Sequence, residues 1–153
     1  MKSRYYGYIL VSLIISLIAS FSIVFVLLPL IEFNVNFETI DIGYLCDHRE
    51  RGDYIIQTQQ EWDDLWQKTY GPSLEAPDIN FSSNIVLAVY MGVRATGGYR
   101  IEITNIGENE EHIRVYIRET RPSPFGFVTM LITQPYHIVK LNRIPKLIVF
   151  IHT

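Results

Sequence analysis

Between Arg4 and Glu32 no charged side chain occurs, and from Tyr8 to Ile31 the chain is almost continuously Leu, Ile, Val, Phe and Ser. A bilayer core about 30 Å thick is crossed by ~20 helical residues at a rise of ~1.5 Å each, so residues 6–31 are long enough to be expected as a transmembrane helix in the lipid bilayer. Lys2 and Arg4 precede the stretch, Glu32, Glu38 and Asp41 follow it, and Tyr5, Tyr6 and Tyr8 fall at headgroup level. Under the positive-inside rule, residues 1–5 are then a short cytoplasmic N-terminus and everything after the stretch lies outside a cell membrane crossed once. A cleaved signal peptide fits less well, because its apolar region runs only ~7–15 residues and ends at a small-x-small site. Ala19-Ser20-Phe21 falls in mid-stretch instead. Ser12, Ser16 and Ser20 recur every four residues, a small-residue stripe that offers a weak route to self-association.

The remaining residues are enough for one domain with its own core. They hold 11 Lys and Arg against 16 Asp and Glu, well interspersed. Nucleic acid is therefore not an expected partner, since phosphate binding needs clustered positive charge. Cys46 is the only cysteine, so no intramolecular disulfide can form. It stands fifteen residues beyond Ile31 and follows Tyr44-Leu45, unlike a lipid-accepting cysteine. A small buried or semi-exposed thiol is the expectation.

Residues 32–52 read as a tether and first strand region, and 53–153 as the folded domain outside. Tyr54-Ile55-Ile56 is strand-like, and Thr58-Gln59-Gln60-Glu61 is a capping box that opens a helix from Gln59 to about Tyr70. Trp62, Leu65, Trp66 and Tyr70 form its apolar stripe, and Gly71-Pro72 ends it. Ile85 to Val93 is a nearly unbroken apolar run, which suits a central strand covered on both faces. Tyr99–Thr104 and Glu111–Arg118 alternate like half-buried strands joined by a turn over residues 105–109. After the Pro122 and Pro124 break, strands are expected at Phe127–Thr133, Tyr136–Leu141 and Leu147–Ile151. The expected fold class is α+β: a mostly antiparallel curved β-sheet with one packed helix, behind the transmembrane helix.

A convergent catalytic set is missing from the sequence. His48, His112, His137 and His152 lack zinc-site spacing, no nucleophile elbow occurs, and the adjacent acids Asp63-Asp64 and Glu110-Glu111 diverge on a helix or strand. No catalytic residue, metal or cofactor is expected. A concave pocket in which His137, Asp78 or Glu102 meet would reopen the question. Gly97-Gly98 precedes a strand and not a helix, so it is no phosphate loop; it is either a tight turn or a place where another backbone comes close.

Ser82, the apolar strand 85–90, Gly92, Arg94, Thr96-Gly97-Gly98-Tyr99, Pro122, Pro124 and Thr133-Gln134-Pro135-Tyr136-His137 together resemble the PrcB C-terminal domain family over about residues 80–151. The resemblance implies a non-catalytic subunit that binds and stabilises a surface protease or other exported protein. It also makes Thr133, Pro135 and Tyr136 structural motif residues. The namesake type is a lipoprotein, and this chain departs from it in lacking the lipid-accepting cysteine. Arg94, Thr96, Gly97, Gly98, Tyr99, Pro122, Pro124 and Phe125 are the residues expected to bind protein, on loops that flank the hairpin strands. Tyr99 and Phe125 are either aromatic anchors there or, for Tyr99, a ring that packs over the glycines. The alternative use of the 94–99 and 121–126 loops is inhibition of a protease.

Overall fold

The structure, a computed structural model, describes residues 32–153 apart from Phe125, and within the uncharged stretch Ser16 and Ile18. Among the described residues the elements of the domain are β1 (Phe33–Asn34), β2 (Phe37–Gly43), β3 (Arg51–Ile56), α1 (Gln59–Tyr70), β4 (Asn84–Met91), β5 (Arg100–Glu108), β6 (His112–Thr120), β7 (Tyr136–Asn142) and β8 (Leu147–His152). They form two four-stranded sheets, ordered β1-β5-β6-β8 and β2-β7-β4-β3. All pairings are antiparallel except that of β6 with β8.

β4 shows why three layers form. Successive side chains of a strand point to opposite faces. Ile85, Leu87, Val89 and Met91 meet the isoleucines and valines of β5 and β6 in the core between the sheets. Val86, Ala88 and Tyr90 point the other way and pack beneath Trp62, Leu65 and Trp66 of α1. Each fully buried Leu, Ile or Val contributes about 1.5–3 kcal/mol, so the run that reads as a strand covered on both faces is the centre of stability.

The helix starts and stops where its residues dictate. Thr58 accepts from the Glu61 amide while the Glu61 carboxylate takes the Thr58 amide, the reciprocal capping box. At the other end Gly71 adopts φ 78° and its N–H bonds to the Gln67 carbonyl. Trp62 Nε1 donates to the Pro77 carbonyl at 2.9 Å, which fixes the loop back across the helix.

Several expectations are corrected. Among the described residues no helix is long and apolar enough to cross a membrane, which overturns the transmembrane part of the fold class. The physical reason is plain in α1: twelve residues at ~1.5 Å each fall well short of a ~30 Å core, and the helix carries Glu61, Asp63, Asp64 and Lys68. Apart from Ser16 and Ile18, residues 6–31, with the bilayer contact and the Ser12 and Ser20 stripe assigned to them, lie outside the described residues. The single curved sheet is two sheets, because β4 and β7 are apolar on both faces whereas β5 and β6 bury only one. Residues 33–43, read as tether and first strand region, supply two strands: β2 pairs along β7 from Phe37 opposite Leu141 to Gly43 opposite Tyr136. β5 runs on to Glu108 through a bulge between Ile103 and Asn105, which resets the phase so that Ile106 faces the same core as Ile101 and Ile103. Phe127–Thr133 is not a strand; only Thr133 makes a bridge, to Arg94.

Candidate protein-binding site

The loops 92–99 and 121–133 meet at one end of the domain. Gly92 ends β4 at φ 74°, a left-handed conformation, and a Cβ there would lie 2.9 Å from the Arg51 backbone nitrogen. The chain then turns so that Arg94 and Thr133 exchange both backbone hydrogen bonds, at 2.7 and 2.9 Å. Gly97 N–H donates to the Thr129 carbonyl at 2.9 Å, and Thr133 Oγ1 donates to the Thr96 carbonyl at 3.0 Å. Gly98 sits at φ 84° with Pro122 against it; a Cβ would come within 2.9 Å of the Pro122 Cβ. The paired glycines therefore let the neighbouring loop come close, Gly97 to the Thr129 side chain and Gly98 to the Pro122 ring.

The described residues among those expected each have a place in this end. Thr96 and Pro122 are half-buried between the loops, Gly97 is buried, and Gly98 and Pro124 are exposed. Arg94 is half-buried with its guanidinium 5.6 Å from the centre of the Tyr99 ring. Tyr99 itself packs against the core between the sheets, the covering role and not that of a free anchor. Phe125 lies outside the described residues. Thr133 and Pro135 are buried: the first joins the loops, and the second accepts the Met91 N–H at 2.8 Å.

The apolar surface comes from residues the sequence reading assigned to a strand. Phe127, Met130, Leu131 and Ile132 are exposed, as is Val93 next to the Arg94 bridge. Exposed Tyr44 and Leu45 adjoin them, because Gln134 N–H donates to the Tyr44 carbonyl at 2.9 Å. Phe127 and Met130 are 109% and 89% exposed, which single scattered apolar residues can be but a contiguous set rarely is in a monomer. The signal available in sequence was the largely apolar run Phe127–Ile132 between Pro124 and Pro135, which does not alternate and so had no face to give to water.

Away from this end, polar groups are tied up in structural roles. Tyr136 donates to Asp41 Oδ2 at 2.7 Å and Tyr70 donates to the same oxygen, joining β7, β2 and α1. Burial raises both phenols, Tyr136 to about 12, so both stay protonated donors at neutral pH. Cys46 is half-buried with its Sγ 3.5 Å from the carbonyls of His48 and Gln134. Burial pushes its thiol up to about 11, which leaves almost no nucleophilic thiolate at neutral pH.

His137 and Glu102 do line one hollow of about 430 Å³, while Asp78 lies in another, beside α1. His137 is buried, however, and both its nitrogens are committed. Nδ1 accepts the Ile103 N–H at 2.9 Å, so the neutral ring carries its proton on Nε2, which faces Thr39 Oγ1 at 2.9 Å. Burial lowers its pKa to about 4, and the ring joins the two sheets as a neutral tether. Among the described residues no group of three or more His, Cys, Asp or Glu is placed to hold a metal ion.

Fold and site together define a β-sandwich with one helix on its outer face and a two-loop apolar end. The stretch of residues 85–142 matches the family described as PrcB C-terminal. It takes in β4 through β7 and both loops of the apolar end. No curated protein and no solved structure matches the chain.

Proposed function

We propose that this chain is a non-catalytic subunit of a protease complex that docks on its partner through the apolar end built from residues 92–99 and 121–133. The observation that carries the reading is the exposed set Val93, Phe127, Met130, Leu131 and Ile132 on a backbone braced at three points. Bracing removes much of the ordering cost of binding, and aromatic residues and Met are enriched at interface centres. The family match over the same loops supplies the kind of partner.

The test is a pull-down with the full chain, its partner identified by mass spectrometry. Met130→Asp and Phe127→Asp lower partner recovery about tenfold or more, the effect of ~1.4 kcal/mol lost at a central contact. Gly98→Val, which pushes Pro122 away, lowers it too. Undiminished recovery by all three variants with the fold intact would end the reading.

A second reading, protease inhibition, draws on one feature: residues 127–132 expose Phe127, Met130, Leu131 and Ile132 and are held at Thr129 and by the neighbouring Thr133, as a segment that fills a cleft would be. Full-length protein at saturating concentration then blocks cleavage by the recovered protease. Unimpaired cleavage discards inhibition and leaves docking standing.

A further inference from the structure

Among the described residues the two sheets end in four edge strands, and three are blunted by devices that stop edge-to-edge pairing. β1 is two residues long. β2 carries Glu38 and Asp41 and a bulge between Thr39 and Asp41. β3 carries Arg51 and Asp53. β8 is different: Leu147-Ile148-Val149-Phe150-Ile151 has no charge and no proline, and its register with β6 is unbroken.

The outward edge of β8 offers pairing groups. Thr153 donates to the Ile117 carbonyl and its own carbonyl accepts from Glu119, so the backbone groups of residue 153 face β6. Because these directions alternate along a strand, Ile148, Phe150 and His152 turn their N–H and C=O groups away from β6. The outer face of the same strand shows Leu147 and Val149, 64% and 37% exposed.

We propose that this edge joins β8 of a second copy of the chain, antiparallel about a two-fold axis through Val149. That register sets Val149 against Val149, Leu147 against Ile151 and Ile148 against Phe150, apolar against apolar throughout. It also sets Lys146 opposite the partner's His152, whose ring nitrogens face Asp53 Oδ2 at 2.8 Å and Glu119 Oε1 at 2.9 Å. Lys146 is paired with Glu108 and Glu119 with Arg51, so the charges at each end of the joint are balanced within their own chain. A register centred on Phe150 would set Ile148 against His152 and lose the apolar match. The two β1-β5-β6-β8 sheets become one eight-stranded sheet, while the apolar ends built from residues 92–99 and 121–133 take no part in the joint.

Cysteine pairing in the full chain tests both association and register. Across the axis, Val149 and its partner form a non-hydrogen-bonded pair about 4.5 Å apart at Cα, inside the range a disulfide spans. In a Cys46→Ala background Val149→Cys gives a covalent dimer under mild oxidation. Leu147→Cys, whose copies lie about 14 Å apart by four ~3.4 Å steps, gives none. Adding Ile151→Cys to Leu147→Cys restores cross-linking. Light scattering on the otherwise unaltered chain supplies a second measurement: its mass is that of two chains and falls to one with Val149→Lys, whereas Met130→Lys leaves it at two. A mass of one chain for the unaltered protein, or a dimer broken by Met130→Lys and not by Val149→Lys, overturns the proposal. Equal cross-linking of Val149→Cys and Leu147→Cys overturns the register and the two-fold axis with it.

Discussion

β4 and the segment 127–132 are both nearly unbroken apolar runs, and they meet opposite fates. β4 is flanked by β3 and β7 and lies between α1 and the second sheet, so every residue from Ile85 to Met91 is buried. The 127–132 segment has one backbone hydrogen bond to the neighbouring loop, at Thr129, and leaves four large apolar side chains in water. Composition does not separate them. What separates them is the supply of partners: a sheet layer has one centre, and a second run apolar on both faces finds nothing to cover it. Such a run becomes a surface for another molecule.

The comparison breaks most visibly by truncation. Leu87→Ala, in the middle of β4, costs about 2–5 kcal/mol, the usual range for a buried Leu, and shifts the urea midpoint accordingly. If it costs under 1 kcal/mol, β4 is not the covered strand described above. The next effect concerns the neighbour that helps cover β4. Because the folded His137 pKa lies below its unfolded value, the unfolded state takes up the proton first as pH falls. Its stability contribution is whole above about 6.5, is lost as pH falls from there to about 4, and amounts to about 3 kcal/mol by 1.36 kcal/mol per unit. Urea midpoints across that window, compared with those of His137→Gln, isolate the effect; equal slopes would show that the ring is no tether. The smallest effect is the sharpest contrast. Met130→Ala changes stability by less than about 0.5 kcal/mol, as surface substitutions do, while lowering partner recovery. A large loss of stability would place Met130 inside the fold.

How far the sequence spoke follows from the range of each signal. α1 was legible to the residue, because the capping box and the Trp62, Leu65, Trp66 stripe are local. The β4 and β7 strands were legible for the same reason. The split into two sheets was not: it depends on which face β5 and β6 bury, and on a bulge at Ile103–Asn105 that no turn residue announces. The nearness of the two loops was legible because both flank the hairpin strands, and Gly98 against Pro122 is the contact that required glycine. Phe127 to Thr133 is read as a strand in sequence because a strand's residue types are present, but only Thr133 finds a partner to pair with. The expected transmembrane helix rested on residues 6–31 alone, and α1, the helix of the folded domain, is too short and too charged to span.

The route of the chain through the sheets also sets how it must fold. After β6 the backbone crosses to the other sheet to lay down β7, then returns to place β8 beside β6, so the two sheets are interleaved in sequence. β2 finds its neighbour only when Phe37 reaches Leu141, and the Thr39 hydroxyl meets the His137 ring across 98 positions. High contact order of this kind places folding in the millisecond-to-second range, and a nascent chain lacking residues 136–152 can complete neither sheet.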